Sequence, residues 1–340
     1  MKIIYCCLSL LTAIQGYSQK LTEEFTFKTP ETIVSNSRYN NLHLIDLRDD
    51  TASMGIVQKG AFNRKARVIA TPSLSLQVPL LLQQMTDSSA GQRQLQLIVR
   101  EMSFTEVTTM TERGYYFLRA DLYGNTGKGY ALLDQIDTVV VVRSMDVTKA
   151  TLRNGSKHIT KFIADNLQKE PVAIDDAYWS YEALTKIDSI EKTKLPLYTK
   201  TSLAEGVYDN YTSFKNQEPN RLLFTVKETD AGGIASVSVL NEKNKYEKIS
   251  PKKIYAVVYK GQPFVATEYG YYLLRKKEDD WFFYGKYKTA ASGASMVAAG
   301  FFFGIIGAAI AADAGSSEYG DMKIDYITGT FKVVDSKAQK

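Results

Sequence analysis

The chain is poor in the residues that most chemistry needs. Its two cysteines, Cys6 and Cys7, both fall before Leu8, and its two histidines are His43 and His158. Loss of the N-terminal segment would leave no cysteine, which excludes disulfides, thiolate nucleophiles and cysteine metal sites from the mature protein. His43 sits inside a strand pattern and His158 on the border of a helical face. Both are positions where histidine packs structurally, and a zinc site or a catalytic triad would need more than they offer. Charge of one sign is lacking as well. The balance is 42 Lys and Arg against 37 Asp and Glu, a net +5. Lys276 and Lys277 run directly into Glu278, Asp279 and Asp280, and mixing of this kind argues against a nucleic-acid surface. Gly124-Asn125-Thr126-Gly127-Lys128-Gly129 lacks the spacing of a phosphate loop and reads as a hairpin turn. Asp134 and Asp137 fall on opposite faces of one strand and form no carboxylate pair. The expectation is a protein with no catalytic residue, no cofactor and no metal.

What the chain does have begins at Met1. A single Lys2, an apolar run from Ile3 to Ile14 and small residues at Gly16 and Ser18 give residues 1–18 the layout of a secretory signal peptide. The second feature is one long uncharged run, Ala290–Ala312, AASGASMVAAGFFFGIIGAAIAA. As a helix it would extend roughly 34 Å, enough for a bilayer core of about 30 Å. Its small residues Gly300, Gly304, Gly307, Ala308 and Ala311 share one helical face, and Phe303, Ile306 and Ile310 share another. Gly300-x-x-x-Gly304 is the spacing that lets helix backbones approach closely. For an exported chain, however, Lys286 and Lys288 would lie outside and Asp313, Glu318 and Asp321 inside. That reverses the usual charge preference, so a simple inner-membrane span is disfavoured.

Between these lie two stretches of regular pattern. Residues 19–41 are polar and read as an extended lead-in. Residues 42–170 hold a strand at Leu42–Arg48, a strand pair at Met54–Lys59 and Lys65–Ala70, and a helix at Leu74–Met85 with Ser75 able to cap it. Three long strands follow near Gln94–Val107, Tyr115–Tyr123 and Tyr130–Arg143, then a helix capped by Asp146 and carrying Leu152, Ile159, Phe162, Ile163 and Leu167 on one face. The charged set Asp46, Arg48, Asp49 and Asp50 reads as a solvated strand end. Residues 171–202 read as a polar linker, in which Asp188-Ser189-Ile190 matches a short glycosylation triplet. Residues 203–336 carry successive short strands rich in tyrosine, a residue favoured in sheets. If the last strands rejoin the sheet that Trp281–Tyr287 leaves, residues 290–312 are an insertion between neighbouring strands, and both its ends lie on one side of any membrane. The predicted fold class is α+β. An antiparallel sheet with helices on one face is followed by a second, mostly antiparallel β domain carrying a Gly/Ala-rich helical insertion.

The segment Gly206-Val207-Tyr208-x-x-Tyr211-x-x-Phe214-x-Asn216-x-x-Pro219 resembles a module of exported, uncharacterised Gram-negative proteins, typically written G-x-Y-x5-F-x-N-x-P. The resemblance extends over Ile254-Tyr255-Ala256, where Tyr255 stands for an aromatic that is often Trp, and over a closing Ile324-Asp325-Tyr326-x-x-Gly329. It implies architecture and no assigned activity. Physically, Gly206 suits a turn, Tyr208, Tyr211 and Phe214 would pack that turn onto a sheet, and Asn216 and Pro219 would end the segment. The element order over 42–168, opening on a strand that ends Asp46-Leu47-Arg48, resembles small α/β domains of Gram-negative envelope lipoproteins, including auxiliary components of transport systems. That resemblance implies an accessory role without catalysis.

Together these features lead to a non-enzymatic exported protein of the periplasm or the outer-membrane face. It would associate with membrane, with a partner helix or with itself through 290–312. Two rival readings are a soluble binding module with a pocket of tyrosines from 115–123 and 269–272, and a hydrolase whose carboxylate site the spacing hides.

Overall fold

The structure, a computed structural model, describes residues 21–60, 64–108, 112–172, 177–289 and 316–334. The expected signal peptide and the helix-packing positions from Gly300 to Ala311 lie outside the described residues. The protein is α+β, with mostly antiparallel sheets.

The first half comprises β1 (Thr22–Phe25), β2 (Tyr39–Asp46), β3 (Gly55–Lys59), β4 (Arg64–Ala70), α1 (Leu74–Met85), β5 (Arg93–Thr108), β6 (Glu112–Asn125), β7 (Tyr130–Val142) and α2 (Val147–Ala164). They build one sheet in the order β1-β4-β3-β5-β6-β7, with β2 also on β5. Three of its pairs are parallel, β1 with β4 and both β2 and β3 with β5. Local alternation cannot signal this, because direction is set by how the chain returns through α1 rather than by any strand's own pattern. The stretch expected as a lead-in contains β1, whose Phe25 is fully buried against Phe104.

Both helices lie on one face of this sheet. Val78 and Leu82 of α1 and Ile159 and Ile163 of α2 join Leu42, Leu97, Phe104, Leu118 and Leu122 in a single apolar core. α1 has the expected bounds, but its N-cap is Ser73, not Ser75, and Pro79 sits past the first turn. Gln77, on the buried side of α1, ties the helix to β1 and the preceding turn: its side-chain amide donates to the carbonyls of Phe25 and Pro72. Asp146 caps α2 as expected, accepting from the Lys149 N–H at 3.0 Å. α2 lies very close to the sheet, since a Cβ on Gly155 would come within 2.5 Å of the Phe104 ring.

The stretch read as a linker is instead packed. It forms α3 (Tyr181–Leu184), α4 (Ile187–Lys192) and α5 (Pro196–Thr199), with Leu184, Ile187 and Leu197 fully buried on the sheet face that α1 and α2 leave open. Its apolar residues are spaced too irregularly to announce a buried side. Beyond it come β8 (Gly206–Tyr208), α6 (Tyr211–Asn216), β9 (Phe224–Glu228), β10 (Ile234–Leu240), β11 (Tyr246–Ile249), β12 (Ala256–Tyr259), β13 (Gln262–Thr267) and β14 (Gly270–Leu273). The last strands are β15 (Arg275–Lys277), β16 (Asp280–Thr289), β17 (Ser316–Ile324) and β18 (Phe331–Val333). They form three small sheets, β11-β10-β9, β14-β13-β12-β8 and β15-β16-β17-β18. β16 and β17 pair antiparallel from Phe282 opposite Lys323 to Thr289 opposite Ser316. The chain therefore leaves β16 and returns on β17 at directly opposed residues.

Candidate functional site: buried charges on the open sheet face

The second face of the large sheet is built differently from the first. In β5, Leu95, Leu97 and Val99 point into the helix-side core, and after Arg100 that role passes to Met102 and Phe104. The register with β6 shifts at this point, Val99 pairing with Ala120 and Glu101 with Arg119, so that Arg100 is the extra residue of a β-bulge. A bulge places two consecutive side chains on one face. Arg100 and Glu101 both aim away from the helices, beside Arg119 and Asp121 of β6. Four charged groups thus share a face that the C-terminal strands cover.

Arg100 is the hub of the resulting network. Its Nη1 and Nη2 bind the two oxygens of Glu191 at 2.7 and 3.0 Å, a bidentate pair. It also reaches Asp121 at 3.1 Å and Asp188 at 3.5 Å, and Nη1 donates to the Tyr326 hydroxyl at 2.8 Å. That hydroxyl lies 2.6 Å from Glu191 Oε2 and 2.9 Å from Asp188 Oδ1. Arg119 spans Asp137 at 3.0 Å and Asp325 at 2.9 Å. Lys332 of β18 sits 3.2 Å from both Glu101 and Asp325 and 3.6 Å from Asp49. Lys323 of β17 pairs with Asp49, and Lys192 of α4 with Asp280 at 2.6 Å.

The carboxyl groups divide by environment. Burial pushes Asp325 up, but Lys332 and Arg119 overcome it and hold the group well below the usual carboxylate range; N–H donation from Thr328 adds to this. Asp49 is also lowered, because Lys332 and Lys323 outweigh its burial. Glu191 is lowered too, burial opposing and the Arg100 and Tyr326 hydrogen bonds prevailing. Burial wins at Glu101, Asp121 and Asp188, which are raised despite Lys332 beside the first and Arg100 beside the other two. Cations and anions here are matched and in direct contact. The arrangement fastens together segments that are far apart in the sequence.

The motif residues supply the frame for this network. Gly206 has φ +151, and a Cβ there would meet Pro219 at 2.4 Å. Tyr208 packs edge-on against Phe214, and Tyr211 and Phe214 both pack on Tyr255. Asn216 ends α6, and Gln217 follows in the left-handed conformation. Tyr211 donates to the Tyr326 carbonyl at 2.7 Å and Tyr255 to the Gly329 carbonyl at 2.8 Å. Gly329, at φ +76, lies against the Tyr211 ring, where a Cβ would sit 2.1 Å from Cγ. This aromatic bracket fixes the turn that presents Asp325 to Arg119 and Tyr326 to Arg100.

Other residues singled out in the sequence fall elsewhere. Arg48 is buried, its Nε and Nη2 binding Asp46 at 2.8 and 2.7 Å, and Asp50 accepts from the Ala52 and Ser53 N–H groups. The loop folds back on itself through the buried Arg48 guanidinium, which is not solvated, while Asp49 and Asp50 stay partly exposed as expected of a strand end even though Asp49 also joins the network. His43 is exposed on β2, and His158 packs edge-on against Tyr116. Asp188 of the glycosylation triplet is held by Arg100 and Tyr326. Tyr115, Tyr116 and Tyr123 are buried packing residues. A cavity of about 520 Å³ among the described residues is lined by Glu112, Arg113, Arg143, Ser144 and Met145, with no tyrosine. Tyr269, Tyr271 and Tyr272, the other tyrosines of the binding-module reading, are partly buried. On the outward face of the β16–β17 ribbon, Tyr284 and Tyr319 stack at 6.0 Å and remain 63% and 58% exposed. Among the described residues no helix is long and apolar enough to cross a membrane.

No protein-family model and no curated protein matches the chain. Among solved structures, it is similar to a Xanthomonas campestris protein of the DUF330 family. That likeness has 8% identity and a TM-score of 0.28, over 50% of this chain and 99% of that one. A second structure, described as an uncharacterized protein, is similar at 13% identity and a TM-score of 0.23, over 40% of this chain and 98% of its own. Likenesses at this level carry no argument about function.

Proposed function

We propose that the protein is a non-enzymatic component of the cell envelope, exported by its N-terminal leader and membrane-associated through residues 290–312. The observation that carries this reading is the pairing of Thr289 with Ser316. An uncharged run is inserted where two strands meet, so it departs from and returns to one place. A segment attached this way enters a membrane from one side, which removes the conflict between its flanking charges and a single crossing. The exposed Tyr284–Tyr319 stack on the same ribbon supports it further, since tyrosine favours the boundary between water and acyl chains. The charge network fits an accessory body rather than an enzyme, because its groups neutralise one another.

The test is fractionation of the native protein and of a variant lacking 290–312 into soluble, carbonate-extracted and detergent-extracted pools. The reading expects detergent to be needed for the intact chain and not for the variant. Equal solubility of the two would overturn it.

A further inference from the structure

The two edges of the large sheet are protected unequally. At one edge β1 is short and carries Glu23 and Glu24, with Lys59 paired to Glu23 at 2.8 Å. At the other, β7 runs from Tyr130 to Val142, and among the described residues no strand lies beyond it. Its first half is guarded. Tyr130 exchanges backbone hydrogen bonds with Trp179, the register with β6 shifts at Leu133, and Asp134 and Asp137 add charge. Its second half, Thr138-Val139-Val140-Val141-Val142, is uncharged, β-branched throughout and free of proline and bulges. Among the described residues no backbone hydrogen bond joins it to anything but β6. Val141 is half exposed. Native sheets avoid such an edge unless something pairs with it.

We propose that this edge pairs antiparallel with the same edge of a second copy, joining two sheets into one about a two-fold axis at Val140. The charge pattern selects a second copy as the occupant. With Val140 opposite its own counterpart, Thr138 faces the partner's Val142, Val139 faces the partner's Val141, and Asp137 faces the partner's Arg143. Asp137 is more than half exposed, and Arg143 is exposed with no ion pair among the described residues. Residues 137, 139 and 141 lie on one face of the strand, and Arg143 follows directly after its last residue, Val142. Two-fold symmetry therefore supplies two opposite-charge pairs that bracket an apolar, β-branched centre, and directly opposed pairs of this kind favour one register. The inference uses no residue of 290–312 and does not depend on membrane association.

Cross-linking in the full chain tests it, with Cys6 and Cys7 replaced by Ser so that a single introduced cysteine reports alone. Val140→Cys meets its counterpart across the axis and should give a disulfide-linked dimer. Ile136→Cys would lie roughly 26 Å from its counterpart and should not. Adding Arg143→Asp to Val140→Cys opposes Asp137 with Asp and should lower the dimer yield about tenfold; further adding Asp137→Arg should restore it. Val141→Lys, at an exposed position that leaves Arg119 and its partners intact, should lower the yield similarly while the thermal midpoint stays unchanged. Absence of dimer at Val140, equal yields at 136 and 140, or yields indifferent to both Arg143→Asp and Val141→Lys would each overturn the proposal.

Discussion

The two faces of the large sheet solve the same problem with opposite materials. Against α1 and α2 the strands present Leu42, Leu97, Phe104, Leu118 and Leu122, and the core of that contact is apolar, with Thr148 of α2 bonded to Glu106 of β5 at 2.6 Å at its margin. Against the C-terminal segments they present Arg100, Glu101, Arg119 and Asp121 set among apolar Ile98, Tyr115 and Phe117. Apolar packing tolerates many partners of similar volume, whereas a buried charge accepts only a counter-charge at the right atom. The helix face thus secures compactness, and the charged face determines which segment lies on it. The difference teaches that the network gives register more than raw stability.

The largest expected effect comes from breaking the charged face. Arg100→Ala strands Asp121, Asp188 and Glu191 and should cost roughly 3–5 kcal/mol in denaturant unfolding at neutral pH. A loss below about 1 kcal/mol would mean that water already screens those carboxylates. Leu97→Ala on the apolar face should cost about 3 kcal/mol, and this loss should be the same at pH 4 and pH 7. A pH-dependent loss there would blur the contrast between the faces.

Acid sharpens the comparison next. Asp325, Asp49 and Glu191 have folded values below their unfolded ones, so the stability they contribute is complete above about pH 4.5 and lost as pH falls through their folded values. Glu101, Asp121 and Asp188 are raised and carry the opposite sign: their charged forms cost stability at neutral pH, and protonation relieves that cost. The strong lowering of Asp325 makes the net effect a loss in acid. Asp325→Asn should flatten the fall between pH 4 and pH 2 by on the order of 1–2 kcal/mol. A variant whose pH profile matches the parent's would remove Asp325 from the account. The smallest effect belongs to neither face. Lys161 and Asp165 pair at 2.8 Å on exposed ground along α2, and Lys161→Ala should change stability by under about 0.5 kcal/mol.

Much of the fold was legible because its elements repeat a simple period. The alternation of Leu95, Leu97 and Val99 marks β5, and the spacing of Leu152, Ile159 and Phe162 marks α2. Elements without such a period escaped: β1 shows only Phe25 as a buried apolar residue, β11 reads Tyr-Glu-Lys-Ile, and α3, α4 and α5 are too short to display a face. The network was invisible for another reason. Its members come from five distant stretches, near Asp49, from Arg100 to Asp137, from Asp188 to Lys192, at Asp280 and from Lys323 to Lys332, and nothing local says that they meet. One signal was available. The switch of apolar parity from Val99 to Met102 leaves Arg100 and Glu101 side by side on the far face, which is how a bulge looks in sequence.

The sequence distance across that network has a consequence for the order in which the molecule is made. Arg100 meets Tyr326 across a separation of 226 residues, and Asp49 meets Lys323 across 274. The helix-covered half can gather its core while the rest of the chain is still being synthesised. Its charged face stays open until the stretch carrying Asp325, Tyr326 and Lys332 emerges, more than 200 residues after Arg100. Long-range closures of this kind are slow and come last. The nascent chain therefore keeps an unsealed, hydrated surface until that stretch has been made, a state still open to unravelling and threading, and only then can the charged face lock.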